Sequence, residues 1–99
     1  MTIKVVADNF IRQDAIEGFV AVVDELIEQT HANDAGCIAY ALFRDKADPQ
    51  HLTVIEEWES QELLDAHSAS EHFARLVPQL GAAWDPARPG TVTVYEPVR

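Results

Sequence analysis

The side chains best suited to chemistry in this 99-residue sequence are Asn9, Tyr40, Glu56, Trp58, His67 and His72. A neutral histidine titrates near physiological pH, so His67 can act as a general base toward a phenolic or enolic proton. The plainer role for such a ring is a helix cap or a hydrogen bond closing the Ser68–Ser70 connection, and His72 is read that way first. A spacing of five does not place the two rings on one helical face. No Cys/His grouping completes a ligand set either, so no metal is expected. Glu56 adjoins the apolar run Leu52–Ile55. Burial there would raise its pKa and make it a proton carrier, whereas pairing or solvation would leave it an ordinary carboxylate. Trp58 shares a strand face with Glu56 and reads as core filling that also lines any cavity. Tyr40 can orient a substrate oxygen or simply pack.

A small set of elements must position these groups. Thr2–Asn9 is predicted as a first strand, buried on most of both faces. Ile16, Phe19, Val20, Val23, Leu26 and Ile27 recur at helical spacing, with Glu17, Asp24, Glu25 and Glu28 largely opposite. Asp14, with Glu17 three residues on, is the expected cap of this helix, and Asn33–Gly36 its stop. Cys37–Arg44 and His51–Glu59 read as strands joined in a hairpin by Asp45–Gln50, with Asp48-Pro49 as turn punctuation. Ser60 and Ser70 are the expected caps of two short helices, the second shortened or kinked by Pro78. Gly81–Gly90 is predicted as a loop and Thr91–Val98 as the last strand.

This order matches an α+β, ferredoxin-like split βαβ arrangement with a four-stranded antiparallel sheet, one domain over residues 1–99. Within it the first and third strands are expected side by side and parallel, bringing Asn9 and Trp58 to one sheet edge. The hairpin should set Tyr40 near Glu56. Helices can cover only one face. The second strand carries Ile38, Tyr40 and Leu42 on one side and Cys37, Ala39, Ala41 and Phe43 on the other. Neither side is patterned for water, so a homodimer joined through the uncovered face is expected. Tyr95 and Trp84 read as interface or loop-anchoring aromatics, and His31 and His51 as exposed residues at element ends.

Composition excludes several functions. Against 17 Asp and Glu stand 7 Lys and Arg, a formal charge of −10. Without a basic cluster, nucleic acid and anionic membrane are not expected partners. Cys37 is the only cysteine, so no intrachain disulfide forms, and it reads as a small core hydrophobe. No phosphate loop, dinucleotide fingerprint or Ser/His/Asp set occurs, so no nucleotide or flavin cofactor is expected. Met1–Phe10 lacks signal-peptide character and no run approaches the roughly 20 apolar residues of a membrane span. A cytoplasmic location is the resulting expectation.

The segments Gly36-Cys37-Ile38-Ala39-Tyr40, Asp48-Pro49, Glu56-Glu57-Trp58-Glu59-Ser60 and Ala66-His67-Ser68-Ala69-Ser70-Glu71-His72-Phe73 resemble the antibiotic biosynthesis monooxygenase family. The likeness is strongest from Gly36 to Phe73. Its most specific part is the tryptophan followed by a short helix ending in His-x-x-Ser-x-His-Phe. The resemblance implies a dimeric α+β barrel that oxygenates a small phenol, quinol or polyketide-like aromatic with molecular oxygen and no cofactor. In such chemistry the protein deprotonates, desolvates and positions an electron-rich anion. His67 is then the base, with Glu56 in support. Asn9 and Trp58 complete the catalytic set, and Tyr40, His72 and Phe73 contact substrate. Haem-degrading relatives share an Asn near the end of strand one and a Trp ending strand three, matched here by Asn9 and Trp58. An ungapped count puts Val77 where their haem-ligating histidine stands, so haem is not expected. Other relatives isomerise small phosphorylated carbonyl compounds; the scarcity of basic residues here, with Arg44 and Arg75 the nearest candidates, counts against a phosphate-bearing substrate. A dimeric ligand-binding or stress-associated domain without turnover is the non-enzymatic alternative on the same scaffold.

Overall fold

The structure, a computed structural model, describes residues 1–99. The chain runs through β1 (Ile3–Phe10), a 3-10 turn (Gln13–Ala15), α1 (Ile16–Asn33), β2 (Cys37–Asp45) and β3 (Asp48–Trp58). It continues through α2 (Gln61–Ser68), α3 (Glu71–Leu76), a second 3-10 segment (Val77–Ala83) and β4 (Thr91–Tyr95). The strands form one antiparallel sheet in the order β2-β3-β1-β4. This is the expected α+β ferredoxin-like fold.

One expectation fails. β1 and β3 are neighbours, but they run antiparallel, pairing Ile3 with Trp58 and Asn9 with Leu52. Helix α1 reverses the chain once and its exit into β2 reverses it again, so β2 points the same way as β1. The hairpin then turns β3 against both. Asn9 and Trp58 therefore lie at opposite ends of the sheet, about 20 Å apart at the rise of a strand.

Smaller departures have local causes. Asp14 does not cap α1; it sits in the 3-10 turn and accepts from Arg12 at 3.2 Å, leaving Ala15 at the helix start. The hairpin turn is tighter than expected, because Asp45 accepts the Ala47 N–H at 2.8 Å and Asp48 accepts the Gln50 N–H at 3.1 Å. These side chains hold the bend locally, so β3 begins at Asp48 and the turn is Lys46-Ala47. Residues 81–83, expected as loop, continue the 3-10 segment. Ser60 and Ser70 do cap α2 and α3, accepting from Leu63 and Phe73. Helix α3 ends at Leu76 because Pro78 has no N–H to return to the preceding turn.

Phe19, Val23 and Leu26 of α1 pack with Leu64, Leu76 and Leu80 on Val5, Leu52, Val54 and Trp58 of the sheet. Tyr40 joins them from β2, and a bulge between Cys37 and Ala39 takes Ile38 out of the alternation, leaving it 49% exposed. The other sheet face has no helix on it. There Val6, Ala41 and Ile55 adjoin Phe43 and Tyr95, each 52% exposed. The same face is partly polar: His51 bonds Asp8 at 2.7 Å and Asp45 at 3.0 Å, and Thr53 donates to Asp8 at 2.9 Å. His51 is thus half-buried between two carboxylates rather than free at an element end, whereas His31 is exposed as expected.

Candidate active site

Between the helices and the covered face lies a cavity of about 430 Å³, walled mainly by apolar side chains such as Phe19, Val23, Leu26 and Leu80. Tyr40, Glu56, His67 and Phe73 supply its polar and aromatic end. Tyr40 and Glu56 are directly paired across β2 and β3. Asn9 also lines the cavity, with Trp84 donating its indole N–H to Asn9 Oδ1 at 3.2 Å. Asn9 is four residues along β1 from Val5, the partner of Glu56, about 14 Å away at the rise of a strand. Trp84, read from sequence as an interface or loop aromatic, is therefore a cavity residue.

His67 occupies the last turn of α2 with its side chain 1% exposed. Its ring lies 4.7 Å from the Trp58 ring, 5.3 Å from Tyr40 and 5.2 Å from Phe73, centre to centre. Nδ1 is 2.6 Å from Asp34 Oδ2. A carboxylate only accepts, so Nδ1 carries the proton and Nε2 keeps a lone pair. That Nε2 is buried and has no partner. Burial holds the imidazole pKa below its usual value, against the opposing pull of Asp34, so the ring is neutral and basic at Nε2.

Asp34, which in sequence is only part of a helix stop, organises both histidines. Its Oδ2 also accepts from His72 Nε2 at 2.8 Å. The turn that delivers it depends on Gly36, whose φ of +78° suits glycine and whose missing Cβ leaves room for Leu63. An acidic residue two positions before such a glycine, at the entry to the strand bearing Tyr40, was the available signal.

Trp58 and His72 lie behind the cavity wall, where they fit the structural readings of these residues rather than the ligand contacts that the resemblance implies. Trp58 is 0% exposed and does not line the cavity. Its indole N–H donates to Glu56 Oε1 at 2.9 Å, so it holds the carboxyl group instead of touching a ligand. His72 faces Asp34, not the cavity. Glu56 is the buried carboxyl expected: desolvation pushes its pKa up to about 7, opposed by the Trp58 hydrogen bond. Burial, then the nearby Glu56, pushes the Tyr40 hydroxyl well upward, so it remains a donor. Cys37 is half-buried, and burial lifts its thiol to about 11, which leaves it unreactive.

No lysine or arginine lines the cavity, whose charged lining residues are Glu56 and Asp65. Arg75 is engaged by Glu71 and Glu25. An anionic ligand would meet only like charge. Asp34, His67 and His72 form the one grouping with the donor types of a metal site. Ligand atoms around a tetrahedral ion with bonds of about 2.0–2.1 Å stand roughly 3.3 Å apart. The separations of 2.6 and 2.8 Å fit shared protons better.

Fold and site together define a small α+β domain with a partly open, mainly apolar pocket that Tyr40, Glu56 and His67 line. Residues 2–79 match the family described as antibiotic biosynthesis monooxygenase, and the chain belongs to that family. It is 34% identical over 96 residues to Rv0793 of Mycobacterium tuberculosis, a protein with a provisional monooxygenase name, covering 97% of this chain and 91% of that protein. The structure of Rv0793 superposes with a TM-score of 0.89 at 30% identity, over 100% of this chain and 97% of the other. A crystal structure described as an antibiotic biosynthesis monooxygenase gives 0.87 at 41% identity, over 98% and 99%. A conserved protein from Methanosarcina mazei Go1 gives 0.90 at 32% identity, over 96% and 91%. The protein is accordingly monooxygenase-like. No helix is long and apolar enough to cross a membrane.

Proposed function

We propose that the protein is a cofactor-independent monooxygenase for a small, uncharged phenol, quinol or polyketide-like aromatic. The observation that carries this reading is His67, a buried, neutral histidine that lines an apolar cavity and whose Nε2 has no partner within the protein. A substrate hydroxyl donates its proton there, and the resulting anion is left in surroundings that solvate it poorly. Such an anion reduces oxygen by one electron, and the radical pair combines at carbon as a peroxide. Loss of water leaves a carbonyl: one oxygen atom stays on carbon, the other departs with two hydrogens. Tyr40 orients the substrate oxygen by donation, Glu56 shuttles a proton near neutrality, and Phe73 packs on the ring. Asn9 and Trp84 contact the distal part of the substrate.

The uncovered sheet face fits a second copy of the chain, with Phe43 and Tyr95 as its exposed apolar anchors. Light scattering at micromolar concentration should give twice 11.0 kDa; a stable folded monomer would exclude this assembly.

Oxygen uptake with hydroquinones and anthrones, by protein treated with a chelator, tests the chemistry. His67→Ala should lower the rate by at least about 100-fold. Tight binding of an aromatic with no oxygen consumed would make the cavity a ligand-holding site instead. A rate unchanged in His67→Ala would remove the histidine from the mechanism.

A further inference from the structure

We propose that Asp34, clamped by His72, is a positioning residue that dictates which nitrogen of His67 carries the proton and which is left free as the base. The inference rests on the reading of His67 as the base. One oxygen, Asp34 Oδ2, accepts from His67 Nδ1 at 2.6 Å and from His72 Nε2 at 2.8 Å. An imidazole alone has two neutral forms of similar energy, and a base directed at the cavity needs the one with its proton on Nδ1. A carboxylate beside Nδ1 selects that form because it offers no proton of its own.

Asp34 could rotate away if His67 were its only partner. His72 supplies a second anchor from a different helix. Ser70 fixes the geometry between the two helices, since its hydroxyl donates to the His67 carbonyl at 2.7 Å and accepts the Phe73 N–H. The Asp34 backbone N–H donates to Thr30 at 2.9 Å, tying the same residue to the end of α1. Three helices thus converge on one carboxylate. Neither Asp34 nor His72 lines the cavity, so substitutions there do not remove a direct contact with the substrate.

Nitrogen-15 correlation spectra of the histidine rings report the tautomer directly, without any assay of turnover. In the unaltered protein the His67 proton should reside on Nδ1. In Asp34→Asn the amide NH₂ can donate to Nδ1 and move the ring proton to Nε2. The turnover number with an active quinol should then drop about 10²–10⁴-fold while KM changes less than about twofold. His72→Ala should release Asp34 and lower the turnover number, and His72→Gln, whose amide can still donate to Asp34, should recover most of it. An Nε2–H tautomer in the unaltered protein would overturn the inference even if Asp34→Asn fails to fold. So would Asp34→Asn with tautomer and turnover unaltered. A rate unchanged in His67→Ala removes the histidine from the mechanism, while the spectra still decide what Asp34 does to the ring.

Discussion

Glu56 makes stability depend on pH in the direction opposite to that of an ion-paired carboxylate, and replacing it by glutamine should remove that dependence. The group is 6% exposed, and burial moves its pKa from an ordinary 4.5 to about 7. Between those values the native state holds a proton that the unfolded chain has released. Stability therefore falls as pH rises through this window and levels off above about 7. The displacement corresponds to about 3 kcal/mol across the window. Glutamine keeps the shape and an acceptor for the Trp58 N–H but cannot ionise. Urea denaturation of both proteins at several pH values between 5 and 8, at one fixed protein concentration, should show Glu56→Gln gaining on the parent by most of that amount. His67 contributes the opposite slope, because its lowered pKa lets the unfolded chain bind a proton first as pH falls below 6.5. It is present in both proteins and cancels in the difference. Parallel curves would refute the argument that the carboxyl is desolvated.

Trp58→Phe removes the N–H that favours ionised Glu56, a bond to a charged group worth about 1.5–3 kcal/mol. The carboxyl should then titrate above about 7 in a carbon-13 NMR titration, and an unmoved titration would deny the coupling. His51 is held above its ordinary pKa by Asp45 and Asp8, so its contribution is complete below pH 6.5 and is lost as pH rises through the folded value. Asp8 and Asp45 are lowered by the same contacts and lose theirs as pH falls. Replacing His51 by glutamine should flatten the alkaline part of this profile, and an unchanged profile would dismiss the triad. Gly36→Ala forces a side chain into a left-handed conformation, at a cost of about 1–2 kcal/mol before the clash with Leu63 is counted. Thermal melting should register the loss, and an unaltered Tm would show that the turn relaxes.

The order of elements was legible because periodicity is local: Phe19, Val23 and Leu26 repeat at helical spacing, and Ser60 and Ser70 announce their helices. The relative direction of β1 and β3 depends on counting chain reversals, and the parallel assignment failed there. That single error displaced Asn9 from Trp58. The pairing of Tyr40 with Glu56 needed only a hairpin, so it came through intact. Glu56 and His67 stand out as ionisable groups in apolar surroundings. Asp34 does not, since an acidic residue after a helix looks like any other stop. Its role appears only when Gly36 turns the chain and α2 and α3 arrive from more than thirty residues away. Trp58 was legible as a large aromatic at a strand end, but not as the donor to Glu56, because sequence does not say which atom a side chain presents.

Strand β1 separates two selective pressures by the parity of its residues. Val5, Ala7 and Asn9 meet the cavity, while Lys4, Val6, Asp8 and Phe10 lie on the face that no helix covers. Changes at odd positions can reshape the pocket without disturbing the open face, and changes at even positions can remodel that face without reshaping the pocket. A lineage carrying this sheet can therefore vary its cavity and its open surface independently, one residue apart on the same strand.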